Sequence, residues 1–546
     1  MFYLVFSILF VVWLFAFLSF LIMKRKKKKF LQKLSSGWGQ QNFEPRNFEL
    51  IEAYTKLNPS IPFHQLSAQT LGDIDFYEIF CFLDRTISKP GQQFFFDKLT
   101  RPTDNLDKLK EFDKQVNFFL ENKAVREDAR FLLSQLNKND AYYISALLKD
   151  KLLEKPKWAN LFIADTLLVI AMLVSSPWYP VLLIWLLLPF AINLFLHYRN
   201  KKNTYKFSMS FVQLNLLLKV SKTFLKKEIP FEKTNVAKSV SGLKEFQRKF
   251  RLLNFGDYGD NEMAQAFFMV FELLKAFFLI EIHSFFSVLK TLHNKRADID
   301  MVMKYIGSID AAISTASLRS GVNKFTVPVF TERKKGLQAK NLYHPLIEEC
   351  ITNSLTIKDK SILITGSNMS GKSTFIRTLA INSILAQTIY TCFATEFVTP
   401  FVKVFSSIRM DDSLSDAKSY YFEEVNVISG LITQSTNSFQ NLFILDEVFK
   451  GTNTIERVAA AKAILSYLNK NDNIVFVSTH DIELAVLLKT EYDLYHFVED
   501  IENDNLIFDH KLKQGQLTSR NAIKILELSN YPAEITAEAR SIANKH

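Results

Sequence analysis

A loop able to hold phosphate lies between Gly366 and Ser373. Gly366-Ser367-Asn368-Met369-Ser370-Gly371-Lys372-Ser373 has the spacing G-x-x-x-x-G-K-S/T. Four residues between two glycines let successive backbone N–H groups wrap an anion. The helix expected to begin near Lys372 points the positive end of its dipole at the same anion. Lys372 is spaced to reach the β- and γ-phosphates and the Ser373 hydroxyl to hold Mg²⁺, with Thr374 beside it among the nucleotide-binding residues. A second apolar run, Asn441 to Leu445, ends in two carboxylates. Asp446 is placed to organise Mg²⁺, and Glu447 to orient or deprotonate an attacking water. A third run, Ile474 to Thr479, ends at His480, where an imidazole can sense the γ-phosphate. ATP and Mg²⁺ are the cofactors this set predicts, and ATP hydrolysis the reaction.

These groups need a scaffold that brings three chain-distant points to one edge. Ile362-Leu363-Ile364, Leu442 to Leu445 and Ile474 to Val477 read as continuous buried strands, the signature of a parallel sheet. In an open parallel sheet the carboxyl ends of the strands face the ligand crevice. An α/β P-loop domain is therefore expected.

The same residues carry a family resemblance. GSNMSGKST at 366–374, DDSLSDAKSYYFEEV at 411–425, LFILDEVFKGTNT at 442–454 and VSTHDIEL at 477–484 resemble the ATPase domain of the MutS family of DNA mismatch-repair proteins. Ser370 stands where that family usually has Gly; Ser is small and keeps its N–H. The resemblance implies that Ser419 reaches the nucleotide of a partner subunit in trans, and that Lys450 to Thr454 form a loop crossing the dimer interface. It continues into LKQGQLTSRNAIKILELSNYPAEITAEAR at 512–540, similar to the helices through which the family dimerises. A homodimer and a DNA ligand are what the resemblance implies; no residue here specifies the DNA. Phe80 to Thr86, with Gly91, Leu99, Arg101 and Pro102, and Ile306 to Ala312 resemble the family's helical core domain. Phe76-Tyr77-Glu78 matches the short Phe-x-Glu motif with which mismatch readers probe a base. The core signature begins within a few residues, leaving no room for a reading domain, so an apolar helix face is the preferred reading of Phe76.

Composition adds a different expectation. The chain has 546 residues, 48% of them hydrophobic, including 51 Phe. Phe2 to Met23 is free of charge and, at 1.5 Å per residue, roughly 33 Å long, enough to span a bilayer. Lys24 to Lys29 follow, six cations positioned for anionic lipid and for a cytoplasmic end. Trp158 to Leu196, broken at Pro177-Trp178-Tyr179-Pro180, reads as a hairpin of two further spans flanked by Lys and Arg, with Asp165 as its one acid. The predicted fold class is thus an α/β ABC/MutS-type P-loop ATPase domain plus an all-α core and three transmembrane helices, multi-pass in the cytoplasmic (inner) membrane with the ATPase inside. The expected domains are 1–23 anchor, 24–157 basic segment and first part of the core, 158–198 hairpin, 199–335 remaining core and lever, 336–510 ATPase, and 511–546 dimerisation segment.

Cys81, Cys350 and Cys392 are far apart and lack metal-ligand spacing, as expected of reduced core thiols. The net charge is +11; it is compatible with DNA contact but does not demand it. Three functions fit: a membrane-anchored ATPase coupled to DNA, an ABC-type transporter ATPase, and an ATP-switched membrane scaffold. The transporter lacks support, because no Gly-Gly-Gln follows Leu414-Ser415.

Overall fold

The computed structural model describes residues 13, 17, 25, 35–149, 160–253, 273–275, 277–367, 369–409, 420–436, 438–449, 453–502, 505–517, 526–527 and 531–543. The chain divides into two compact units, each discontinuous in sequence. One comprises Met1–Ser60, Asp84–Asp97 and Lys114–Gly321; the other comprises Ile61–Leu83, Lys98–Asp113 and Val322–His546.

The described residues of the first unit are helical. Its centre is the 26-residue helix Arg296–Gly321, buried along nearly its whole length. Small residues explain how: a Cβ at Gly307 would stand 2.4 Å from the Cβ of Phe94, so only glycine lets that ring pack there. One turn on, the Asp310 carboxylate accepts from the backbone N–H of Ile87 and Ser88 and from the Ser88 hydroxyl at 2.6–3.2 Å. It thereby satisfies donors at the start of helix Lys89–Thr100 that have no intrahelical partner. Burial pushes this carboxyl up to about 6, against the pull of those hydrogen bonds. The segments around Asp84 to Gly91 and Ile306 to Ala312, distant in sequence, meet here.

The apolar block after residue 158 does not form membrane spans. Among the described residues no helix is long and apolar enough to cross a membrane. The stretch expected to form the returning span is split: Leu182–Trp185 makes one short helix, and Leu187 opens a 39-residue helix to Leu225. That helix runs on through Arg199, Lys201 and Lys202 into the buried side chains Phe211, Leu214, Leu217 and Leu218. Its later part is core, whereas Leu187, Leu188 and Phe195 of its apolar beginning are exposed. Asp165 accepts from Asn193 Nδ2 at 2.7 Å, so its partner is another polar side chain. The expectation of three transmembrane helices, and the multi-pass inner-membrane localisation built on it, is overturned by this finding, and no described helix supports bilayer contact. The Phe2–Met23 span and the Lys24–Lys29 run lie outside the described residues, apart from positions 13, 17 and 25.

The second unit is built on sheets. β1 (Val329–Phe330), β2 (Leu337–Leu342), β3 (Asn353–Ile357) and β5 (Glu396–Thr399) form a four-stranded sheet. β4 (Ser361–Thr365), β6 (Lys403–Ser407), β7 (Asn441–Asp446), β8 (Ile474–Thr479), β9 (Tyr492–His496) and β12 (Lys513–Gln514) form a six-stranded one, ordered β12-β9-β4-β8-β7-β6. Five of its strands are parallel and the edge strand β12 is antiparallel. β10 (Glu499–Glu502) and β11 (Asn505–Phe508) make a separate hairpin. Every residue of β4 and β8 is buried, which is why these strands read as unbroken apolar runs. One face of the sheet packs Leu363, Phe443, Leu445, Val475 and Val477 against Ile428, Ala461, Leu465 and Leu484 of covering helices. Helix Lys372–Ala386 lies against β6, β7 and β8.

Residues 61–83 join this unit from far upstream. His64 and Asp73 dock on β6: His64 Nε2 lies 2.9 Å from the Val404 carbonyl, and Asp73 accepts from Ser406 Oγ and from the N–H of Ile408 and Arg409. Phe76 is buried with Ile79, Phe80 and Leu83 on helix Phe76–Leu83. Its ring is core, and it offers no surface for stacking on a base.

Candidate nucleotide site

β4 delivers the chain to Gly366, whose φ of +146° suits glycine. A Cβ there would come within 2.9 Å of Ser370 Oγ and 3.0 Å of the Phe497 carbonyl oxygen. The Ser370 hydroxyl and N–H both donate to the Ser367 carbonyl, at 2.8 and 3.3 Å, and Ser370 is fully buried. Serine here ties the loop across its own turn, a bond glycine could not make through a side chain. Gly371, at φ +105°, reverses the chain into helix Lys372–Ala386. The first-turn N–H groups of that helix point at the loop without intrahelical partners. Lys372 is 2% exposed. Its ammonium donates to the carbonyls of Gly366 and Ser367, 2.6 Å each.

The three strand ends converge because the sheet is in register: Thr365 pairs with Thr479, and Asp446 with Ser478. Asp446 Oδ2 accepts from Ser373 Oγ at 2.6 Å, and Oδ1 accepts from the Ser478 hydroxyl. Glu447 follows in the left-handed region, φ +53°, with its N–H donated to the Ser478 carbonyl at 2.8 Å. Its Oε1 lies 3.3 Å from Nδ1 of His480. His480 is half exposed, while its neighbour Asp481 is buried and accepts from Arg457 at 2.7 and 3.1 Å. That hydrogen-bonded pair holds the Arg457 guanidinium above its ordinary range.

Beside the loop lies a cavity of about 330 Å³, lined among others by Tyr343, His344, Cys350, Met369, Phe497 and His510. Ser373 and Thr374 reach the same cavity from the helix. His510 Nδ1 is 3.0 Å from the Ser370 carbonyl, and burial lowers the His344 imidazole below its usual value. Its size and mixed aromatic and polar lining suit a base and sugar.

The structure brings Lys372, Ser373, Asp446, Glu447 and His480 to one edge, with Gly366, Ser367, Met369, Ser370, Gly371 and Thr374 around the loop. Asn368, Ser419 and Lys450 lie outside the described residues. Sequence reasoning missed Ser478, the Asp481–Arg457 pair and the cavity wall of His344, Cys350 and His510. Asp481 directly follows His480 and could have been noticed. His510 meets Ser370 across 140 residues, a pairing with no local signal.

The donor set fits Mg²⁺. A hydroxyl and a carboxylate oxygen stand together at the loop, the hard oxygen ligands this ion prefers. Among the described residues no group of three or more His, Cys, Asp or Glu side chains could hold a metal by itself. The ion would therefore be shared between Ser373, Asp446 and phosphate oxygens.

A parallel sheet carrying this loop and these strand ends defines an α/β domain of the P-loop class. Within that class, residues 362–546 match the family model described as MutS domain V. The chain is 29% identical over 236 residues to the DNA mismatch repair protein MutS of Thermus thermophilus, covering 42% of this chain and 28% of that protein. It is 32% identical over 276 residues to that of Pseudothermotoga lettingae, covering 47% and 33%. With that of Bacillus cereus the identity is 27% over 328 residues, covering 58% and 36%. The chain thus spans about a third of the length of the curated relatives it matches.

Proposed function

We propose that this protein is a Mg²⁺-dependent ATPase of the MutS type, working as a homodimer and coupling nucleotide turnover to DNA. The observation that carries the reading is the convergence of Lys372, Ser373, Asp446, Glu447 and His480 on one sheet edge. In this reading Lys372 exchanges its loop carbonyls for the β- and γ-phosphates, and the first-turn N–H groups of its helix hold the same oxygens. Ser373 and Asp446 would hold Mg²⁺, which would supply positive charge against the phosphate oxygens. Glu447 orients the attacking water and takes its proton. His480, beside Glu447, donates toward the γ-phosphate. The adenine occupies the cavity walled by His344, Phe497 and His510. Ser419 of a second subunit completes the phosphate shell in trans, and the segment 511–546 holds the dimer.

DNA is the proposed ligand because the matched relatives are DNA mismatch repair proteins. The test is ATP hydrolysis by the full chain with and without DNA, mismatched and branched duplexes included, at two salt concentrations. Stimulation that weakens with salt supports phosphate-backbone contact. Hydrolysis indifferent to every DNA would leave an ATPase without the proposed coupling.

A further inference from the structure

Asp75 belongs to residues 61–83, yet it touches the P-loop helix. Its Oδ2 lies 3.3 Å from Arg377 Nη1, and its two oxygens take Arg409 Nη1 and Nη2 at 2.5 and 3.2 Å. Asp75 holds a left-handed conformation, φ +53°, a strained state kept where surroundings require it. Two residues before it, Asp73 accepts from the N–H of Ile408 and Arg409 at 3.1 and 2.8 Å.

Each end of this bridge leads to a proposed Mg²⁺ ligand. Arg377 is four residues after Ser373 on helix Lys372–Ala386, so the two share a helix face. Arg409 follows β6, whose Ser407 pairs with Leu445, the residue before Asp446. Helix and sheet edge thus meet twice: through Ser373 and Asp446 at 2.6 Å, and through Arg377, Asp75 and Arg409. Without the carboxylate, two like charges would face each other. Arg409 already adds to the effect of burial in lowering the Arg377 guanidinium, against the pull first of Asp75 and then of Asp446 and Asp73.

We infer that Asp75 is a positioning residue for the metal half of the nucleotide site, holding Ser373 and Asp446 at the spacing the ion needs by keeping Arg377 and Arg409 together. This rests on the ATPase reading above. Nucleotide contacts made by the loop itself do not pass through Asp75, so its role is specific to the Mg²⁺-dependent part of binding.

The test uses the full chain and a fluorescent ADP analogue, titrated across Mg²⁺ concentrations. Asp75→Asn, nearly the same size, should raise the Mg²⁺ midpoint on the order of tenfold, as losing a group that orients a metal ligand typically does. Affinity without Mg²⁺ should stay at the wild-type value. Adding Arg409→Ala to Asp75→Asn should bring the midpoint back toward wild type, because it removes the charge that Asp75 chiefly opposed. Arg377→Met breaks the same bridge from the other side and carries the test if Asp75→Asn does not fold. An unchanged midpoint overturns the inference. So does a parallel loss of affinity with and without Mg²⁺, which would make Asp75 a general prop. A wild-type chain that binds the analogue at no Mg²⁺ concentration would instead defeat the ATPase reading, and this inference with it.

Discussion

His64 should make the nucleotide-bearing unit sensitive to acid. Its ring is 6% exposed, packs edge-on against Phe405 and bonds to the Val404 carbonyl on β6. Burial lowers it from 6.5 to about 4, and the nearby Lys403 pushes the same way. Above pH 6.5 the imidazole is neutral in folded and unfolded chains alike, so it adds no pH dependence there. Below 6.5 the unfolded chain takes up a proton that the folded chain refuses until about pH 4, and stability is lost as pH falls through that window. The gap is worth about 3 kcal/mol in full and about 2 kcal/mol already at pH 5. Tryptophan fluorescence would miss it, because all five tryptophans belong to the other unit. Hydrogen exchange of the β6 amides, corrected for the intrinsic pH dependence of exchange, reads the opening free energy where His64 docks. Wild type should lose protection between pH 7 and pH 5, and His64→Gln, which keeps a donor but cannot titrate, should lose about 2 kcal/mol less over the same range. Parallel losses in the two proteins would refute the assignment.

Four further outcomes follow from the site. Glu447→Gln should keep ATP bound while slowing hydrolysis by ~10²–10⁴-fold; unchanged turnover would remove Glu447 from the chemistry. Lys372→Ala should weaken nucleotide binding by about 2 kcal/mol, the worth of a charge-assisted contact, as read by calorimetry. Gly371→Ala places a Cβ 3.2 Å from His510 Nδ1 at φ +105°. It should cost roughly 1–3 kcal/mol of strain, seen as a lower melting temperature together with weaker nucleotide binding. Lys372→Ala and Ser419→Ala, each inactive alone, should recover hydrolysis when mixed. A mixture that stays inactive although heterodimers form means that the sites are not completed in trans or that the two sites do not fire separately.

What could be read in advance was what the chain writes locally. The loop from Gly366 to Ser373 and the carboxylates after β7 are short patterns on fully buried strands, and parallel pairing brings strand ends together without further instruction. The membrane expectation failed for a related reason. Hydropathy over a window counts apolar residues but does not see that Leu187 begins a 39-residue helix with a charged middle and a buried continuation. Long-range partners were illegible altogether. Asp75 and Arg377 stand 302 residues apart, and nothing in either neighbourhood announces the other. The Ser370 hydroxyl illustrates a smaller gap: its size was legible, but its bond across the loop required coordinates.

The discontinuity of the second unit has a consequence for how the molecule is made. Residues 61–113 leave the ribosome more than 200 residues before β1 begins, and β6, on which His64 and Asp73 rest, comes later still. A nascent chain must therefore carry Phe76, Ile79 and Phe80, all buried at the end, without the surface that will cover them. Closing contacts over such separations is slow, and apolar surface waiting for its partner is prone to aggregation. A fragment beginning at residue 336 would meet the opposite difficulty. It would contain the loop and all its strand ends, yet the amides of Ile408 and Arg409 would lack the Asp73 carboxylate that receives them. A chain carrying the whole of this unit must therefore include residues 61–83 and 98–113 as well as 322–546.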